Sequence, residues 1–235
     1  MPELPKPTGS PSHQNVTFPS ADSTAHGYLA LPPSGSGPGV IVIQEWWGLT
    51  DHIADVTARL AQEGFVALAP DLYGGNVAHE SEEAMRMMQA LPVPKGVELL
   101  SGAVDYLLSR PEVTSETVGS VGFCMGGGFV LYQAAADPRV SAAVPFYGVI
   151  MGELPDFSGL KAEVLGHYGE LDASIPVESL DPLREAIKGQ SGITPDLRVY
   201  PANHAFFNDS RRMYDAESAA QAWESTVPFL KEHVR

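Results

Sequence analysis

The chain has 235 residues, 44% apolar, 9% aromatic and 18% charged, a balance that supports a packed globular core and excludes a disordered or low-complexity protein. Its 14 lysines and arginines are set against 29 aspartates and glutamates, a formal net charge of −15. That field repels phosphate backbones and anionic lipid, so neither nucleic acid nor a membrane surface is an expected partner. A single cysteine, Cys124, excludes an intrachain disulfide and a Cys-rich zinc site, and it fits a reducing compartment. The first ten residues carry no apolar h-region, and no apolar run approaches the ~18 residues of a membrane span, so a cytoplasmic protein is expected.

Residues 1–13, rich in Pro, Gly and Ser, read as a flexible lead-in, and residues 14–235 as one domain. Asn15–Phe18 and Gly27–Leu31 are β-rich and separated by polar turn residues, a pattern that predicts a hairpin. Val40–Ile43 is a short β-branched run of the kind buried on both faces of a sheet. Thr50 or Asp51 caps a helix that puts Ile53, Val56 and Leu60 on one face, and Gly64 closes it. Phe65–Ala69 is the next strand. Helical patterns then cover about 79–91 and 96–110. Strand Val118–Phe123, a helix near 125–137, and strand Val140–Phe146 follow. The chain ends with strand Glu163–His167, a helix near 177–189, strand Leu197–Tyr200 and a last helix from about Asp215 to His233, which Pro228 is expected either to kink or to shorten. Strands alternating with helices predict an α/β fold, with a mostly parallel sheet covered on both faces.

The chemistry concentrates at Val118-Gly-Ser-Val-Gly122-Phe-Cys124-Met-Gly126, where a strand passes through Gly-x-Cys-x-Gly into a helix. This is the nucleophile-elbow pattern with cysteine in place of serine. The nucleophile sits on a strained turn, where side chains two positions away on either side would collide. The N-terminus of the following helix favours a thiolate. The plain alternative, a buried structural cysteine, does not account for the paired glycines.

A thiol nucleophile needs a base and an orienting acid further along the chain. Of the three histidines after Cys124, His233 falls in the end of the last helix and His167 inside an apolar strand, the place of a core histidine. His204 follows the last strand, at the sheet edge where open α/β folds bind ligands. Asp172 lies directly after a strand, whereas Asp181 and Asp196 belong to polar surfaces. Gln44-Glu45-Trp46-Trp47-Gly48 follows Val40–Ile43 and brings a carboxylate and two indoles to the same edge.

Together, Val42-Ile-Gln-Glu45-Trp-Trp-Gly48, Ala69-Pro-Asp-Leu-Tyr-Gly74, Val121-Gly-Phe-Cys124-Met-Gly-Gly127, Pro145-Phe-Tyr-Gly148, Gly169 to Asp172 and Asn203-His204-Ala-Phe206 resemble the dienelactone hydrolase family of the α/β-hydrolase fold. The resemblance implies an eight-stranded sheet, equal to the number of strands counted above. It also implies a Cys124, Asp172, His204 triad acting on an ester or lactone through a thioester acyl-enzyme, with no cofactor and no metal. By the same resemblance, Glu45 pairs with the cysteine side of the site and helps govern release of the thiolate. The backbone N–H groups of Trp46 and Met125 would form the oxyanion hole.

Trp47, Arg86, Phe206 and Asn208 are the candidate substrate-binding residues. Family members that hydrolyse dienelactone hold its carboxylate with two arginines. Here Asn208 stands at the post-histidine position, Arg211 and Arg212 come a turn later, and Arg86 is the arginine of the other segment. The expected partner is a small-molecule ester or lactone, and the expected assembly a monomer or small homo-oligomer. The rival readings are a carboxylesterase or thioesterase for small neutral or aromatic acyl esters, and a non-catalytic binding module with a redox-sensitive cysteine.

Overall fold

The computed structural model describes residues 13–21 and 23–235. The expected lead-in lies outside the described residues, except His13, whose imidazole contacts the Asp51 carboxylate. Strands Val16–Ser20 (β1), Ser23–Ala30 (β2), Gly37–Ile43 (β3), Val66–Pro70 (β4), Val113–Phe123 (β5), Val140–Phe146 (β6), Glu163–Gly169 (β7) and Asp196–Tyr200 (β8) form one sheet. Its order is β1-β2-β4-β3-β5-β6-β7-β8. The opening hairpin is antiparallel, and β2 runs antiparallel to β4. The pairs from β4 to β8 are parallel. This is the eight-stranded, mostly parallel sheet that the sequence implies.

The helices are Asp51–Gln62 (α1), Ser81–Ala90 (α2), Val93–Leu108 (α3), Met125–Ala136 (α4), Leu180–Ser191 (α5) and Ala216–His233 (α6). Alternation along the strands divides the interior into two cores. Ile41, Ile43, Val118 and Ala143 pack with α3, α4 and α5 through Leu100, Leu107, Phe129, Val130 and Ile187. Val40, Val42, Val121, Val144 and Phe146 pack with α1 and α6 through Ile53, Val56, Leu60, Ala222 and Leu230.

Several boundaries depart from the sequence pattern for local reasons. β5 begins at Val113 and pairs with Gly37 across a register shift, earlier than the sequence pattern shows because Thr114 to Thr117 are all polar and form no apolar run. α3 starts at Val93, since Pro94 in its first turn has no N–H to lose. A 3₁₀ turn at Val177–Ser179 precedes α5. Thr50 takes the N-cap of α1 in extended backbone, yet its side chain makes no capping bond. Asp51 is the first helical residue and adds its charge to the first turn. α6 continues through Pro228 to His233.

Candidate active site

The C-terminal ends of β3, β5, β6, β7 and β8 lie along one edge of the sheet, and the loops that leave them carry the reactive groups. Cys124 occupies the turn from β5 into α4 at φ 53°, ψ −115°, a conformation an L residue holds only when its surroundings enforce it. The enforcement is visible in the flanking glycines. A Cβ on Gly122 would stand 2.3 Å from the Gly126 carbonyl oxygen, and one on Gly126 would stand 2.3 Å from that of Ile43. Gly127 and Gly128 let α4 press against the loop after β6 in the same way, with a Cβ on Gly128 only 1.9 Å from the Val149 oxygen. The Cys124 carbonyl accepts from Val149 N at 2.9 Å and Gly128 N at 3.2 Å, fixing the elbow from two sides. The thiol is half-buried.

Asp172 follows β7 in a buried turn. Its Oδ1 accepts the backbone N–H groups of Ser174 (2.8 Å) and Ile175 (3.2 Å), leaving Oδ2 for His204 Nδ1 at 2.6 Å. Burial disfavours the charged imidazole, but the bonds and charges of Asp172 and Cys124 outweigh it and push His204 up to about 10. Cys124, His204 and Asp172 are therefore brought together in that order. Trp46 and Met125 follow β3 and the elbow, and among the described residues neither backbone N–H is engaged. Three non-glycine residues at this edge have positive φ, namely Cys124, Tyr147 (37°) and Ala205 (60°), which concentrates backbone strain around Cys124 and His204.

Glu45 is 2% exposed. Its Oε2 accepts from Asn208 Nδ2 at 2.7 Å, and its Oε1 is buried without a partner among the described residues. Burial raises its carboxyl pKa, opposed by His52, the Asn208 bond, His204 and Arg211. Gln44 beside it braces the loop after β4, its Oε1 accepting from Leu72 N at 3.1 Å.

The substrate-side candidates fare differently. Trp47 is half-buried, edge-on to Trp46 (5.0 Å), with the Arg211 guanidinium 3.9 Å from its ring centre. Asn208 is buried, its amide occupied by Glu45 and its Oδ1 by Ser210. It supports Glu45 and presents nothing to an open surface. Phe206 is likewise a core ring, fully buried between Tyr147 and Tyr200 at 5.4 Å from each, because the chain turns inward right after Ala205. Arg86 extends from the exposed face of α2 and pairs with Glu82 one turn back at 3.1 Å.

Sequence reasoning missed Tyr147 and His52. The Tyr147 ring lies 5.1 Å from that of His204, and its buried hydroxyl is held well above its usual range by burial and by the charges of Glu45 and Cys124. The available signal was a tyrosine closing β6, in Pro145-Phe-Tyr-Gly148. His167, by contrast, is the core histidine its strand suggests. Tyr200 Oη (2.9 Å) and Thr226 Oγ1 (3.0 Å) satisfy its two ring nitrogens, and burial lowers it to about 3.

A groove of about 380 Å³ opens between the loops after β6 and β7, lined by Val149, Ile150, Tyr168, Ile175, Leu180 and Leu183 among others. Among the described residues no cluster of three or more His, Cys, Asp or Glu side chains could hold a metal ion, and no helix is long and apolar enough to cross a membrane.

The model of the dienelactone hydrolase family matches residues 25–234. Protein usf of Aquifex pyrophilus is 34% identical over 230 residues, covering 94% of this chain and 99% of that protein. A Methylorubrum extorquens protein named "Putative carboxymethylenebutenolidase" is 34% identical over 234 residues, covering 93% of this chain and 80% of its own. The crystal structure of a "Putative Dienelactone Hydrolase" from Klebsiella pneumoniae superposes with a TM-score of 0.85 at 33% identity, covering 92% of this chain and 97% of that one.

Proposed function

We propose, from the premise that the chain belongs to the dienelactone hydrolase family, that it hydrolyses a carboxylic ester or lactone through Cys124, His204 and Asp172. The observation that carries this reading is the 2.6 Å contact of Asp172 with His204, together with the strained Cys124 turn that opens α4.

Cys124 sulfur attacks the carbonyl carbon as a thiolate, its proton residing on His204, whose imidazolium Asp172 stabilises. The carbonyl oxygen becomes an oxyanion facing the N–H groups of Met125 and Trp46, each such donor being worth about 3 kcal/mol in comparable sites. Collapse breaks the acyl–oxygen bond, the leaving alkoxide takes the proton from His204, and the acyl group remains on sulfur as a thioester. Water then attacks that carbonyl, giving a proton to His204, and the thiolate departs. Glu45, buried at the mouth of the loop after β3, governs release of the thiol proton.

Two substrate classes follow from two observations. Arg211, stacked on Trp47 and without an ion-pair partner among the described residues, supports a substrate bearing a carboxylate. The largely apolar groove after β6 and β7 supports a neutral acyl ester instead. Hydrolysis of dienelactone and of p-nitrophenyl acetate, by wild type and Cys124→Ala, tests the mechanism and separates the classes. Full turnover by Cys124→Ala would overturn it.

A further inference from the structure

Helix α4 opens on Met125-Gly126-Gly127-Gly128, so the turn that follows Cys124 carries a single side chain. Glycine leaves a helical backbone conformationally free, at a cost of about 0.5–1 kcal/mol per position relative to alanine. The carbonyls of Ile43, Gln44 and Val149 crowd Gly126 and Gly128 and set how closely this turn approaches its neighbours. Only the Met125 side chain is left to tie the turn down. It is fully buried, and its Sδ accepts the Tyr73 hydroxyl at 3.1 Å.

Tyr73 comes from the loop after β4, and that loop is held residue by residue. Asp71 N donates to the His26 carbonyl at 2.9 Å, Leu72 N to Gln44 Oε1 at 3.1 Å, and Tyr73 N to Asp71 Oδ1 at 2.9 Å. Asp71 Oδ2 accepts from Gly75 N and from Gln14 Nε2, both at 2.6 Å. The Tyr73 ring is buried, and its hydroxyl is held above its ordinary range by burial and then by the charge of Cys124. It therefore keeps its proton and is the donor of the pair. A thioether is a weak acceptor. What the contact supplies is a fixed link between a braced loop and the one side chain at the start of α4.

We propose that Tyr73 is a positioning residue of the oxyanion hole: its hydroxyl, bonded to Met125 Sδ, holds the first turn of α4 so that the Met125 N–H meets the developing oxyanion. Tyr73 does not touch substrate. The proposal rests on the reading of Met125 as an oxyanion donor. Attack of Cys124 on the ester and attack of water on the thioester each place negative charge on the carbonyl oxygen, so both steps require that N–H in place. Alkylation of Cys124 by iodoacetamide does not. There the sulfur bonds to a saturated carbon, the carbon–iodine bond breaks, iodide leaves, and no oxyanion forms.

The test compares hydrolysis of p-nitrophenyl acetate with alkylation by iodoacetamide in wild type, Tyr73→Phe, Met125→Leu and the double variant. Tyr73→Phe keeps the ring and removes the donor. Met125→Leu keeps an apolar side chain of similar volume and removes the acceptor. Each should lower kcat about tenfold, part of the 10²–10³-fold lost when a whole oxyanion donor is removed. KM should hold, as expected when a contact acts only in the transition state and not on the bound substrate. Alkylation rates should match wild type in all three variants. The double variant should be no slower than either single one, because both delete the same contact. An unchanged kcat in both single variants overturns the role. Alkylation that falls in step with turnover also overturns it, by moving the effect of Tyr73 to the thiol. Losses that multiply in the double variant would show two separate defects and overturn the pair. Full turnover by Cys124→Ala would remove the thioester route and this role with it, a result no other arm imitates.

Discussion

The Asn208 amide donates a 2.7 Å hydrogen bond to Glu45 across 163 positions of sequence, so a loop after the last strand holds a carboxyl after the third. One oxygen is satisfied and the other is not. Burial raises the Glu45 pKa, so the folded state binds this proton more tightly than the unfolded chain does. The stabilisation from that proton is complete below the ordinary value of 4.5 and is lost as pH rises through the raised one. Glu45→Gln, which does not ionise, should exceed wild type in urea-melting stability at neutral pH by roughly 1–3 kcal/mol. The gap should close as the pH is lowered to 4.5. The same variant should lose activity, as stabilised active sites commonly do.

Gly126→Ala should dismantle the elbow. Its new methyl group would lie 2.3 Å from the Ile43 oxygen and 2.5 Å from that of Gln44, both backbone atoms that cannot swing aside. Overpacking of this kind costs ~1–3 kcal/mol. The variant should melt earlier than wild type and lose its ester turnover, whereas Gly189→Ala, with open space around the new methyl, should do neither. Equal melting and equal rates for the two variants would remove the steric account of the glycines.

His204 predicts a basic limit. Its pKa is raised to about 10, so the stabilisation from its proton is complete below the ordinary 6.5 and disappears as pH rises through about 10. Turnover should fall over the same upper range, because the imidazolium that protonates the leaving alkoxide is lost. Asp172→Asn should lower that limit, and an unchanged limit would show that Asp172 does not charge His204.

His167 predicts an acid limit by the opposite sign. Burial depresses its pKa from 6.5 to about 3, so the unfolded chain takes up a proton that the folded core refuses. Its contribution is present above 6.5 and is lost as pH falls toward 3. The stability difference between wild type and His167→Gln should decline over that window by up to about 1.4 kcal/mol per pH unit. A difference independent of pH would mean that His167 is charged in the core.

Arg211→Ala separates the substrate classes. If the guanidinium on Trp47 receives a carboxylate, KM for a carboxylated ester should rise roughly tenfold or more while that for p-nitrophenyl acetate stays put, since a charge-assisted contact is worth ~1.5–3 kcal/mol. Equal effects on both substrates would remove Arg211 from recognition.

The sharp turn at Cys124 was legible in the sequence because its constraint is local: a strand, a turn and two glycines within five residues. The positions of Asp172 and His204 were legible because each directly follows a strand, and a parallel sheet brings such ends to one edge. Other features depend on contacts that no window of sequence contains. The engagement of Asn208 with Glu45 and of His52 with Asp209 spans 163 and 157 positions. Phe206 has the composition of a pocket wall, and only the inward path after Ala205, at positive φ, reveals it as core. The early start of β5 is hidden for a different reason, since its first residues pair at a polar, partly exposed end where burial leaves no mark on composition.

A chain with one cysteine, placed at the turn into α4, has a practical bookkeeping property. Every thiol equivalent in a preparation is an equivalent of the proposed nucleophile, so a colorimetric thiol count gives the concentration of competent sites directly. Storage in air then has a single thiol target. Oxidation of the sulfur and decay of turnover should fall on one line of unit slope, and a reductant that restores the thiol should restore the rate in equal measure.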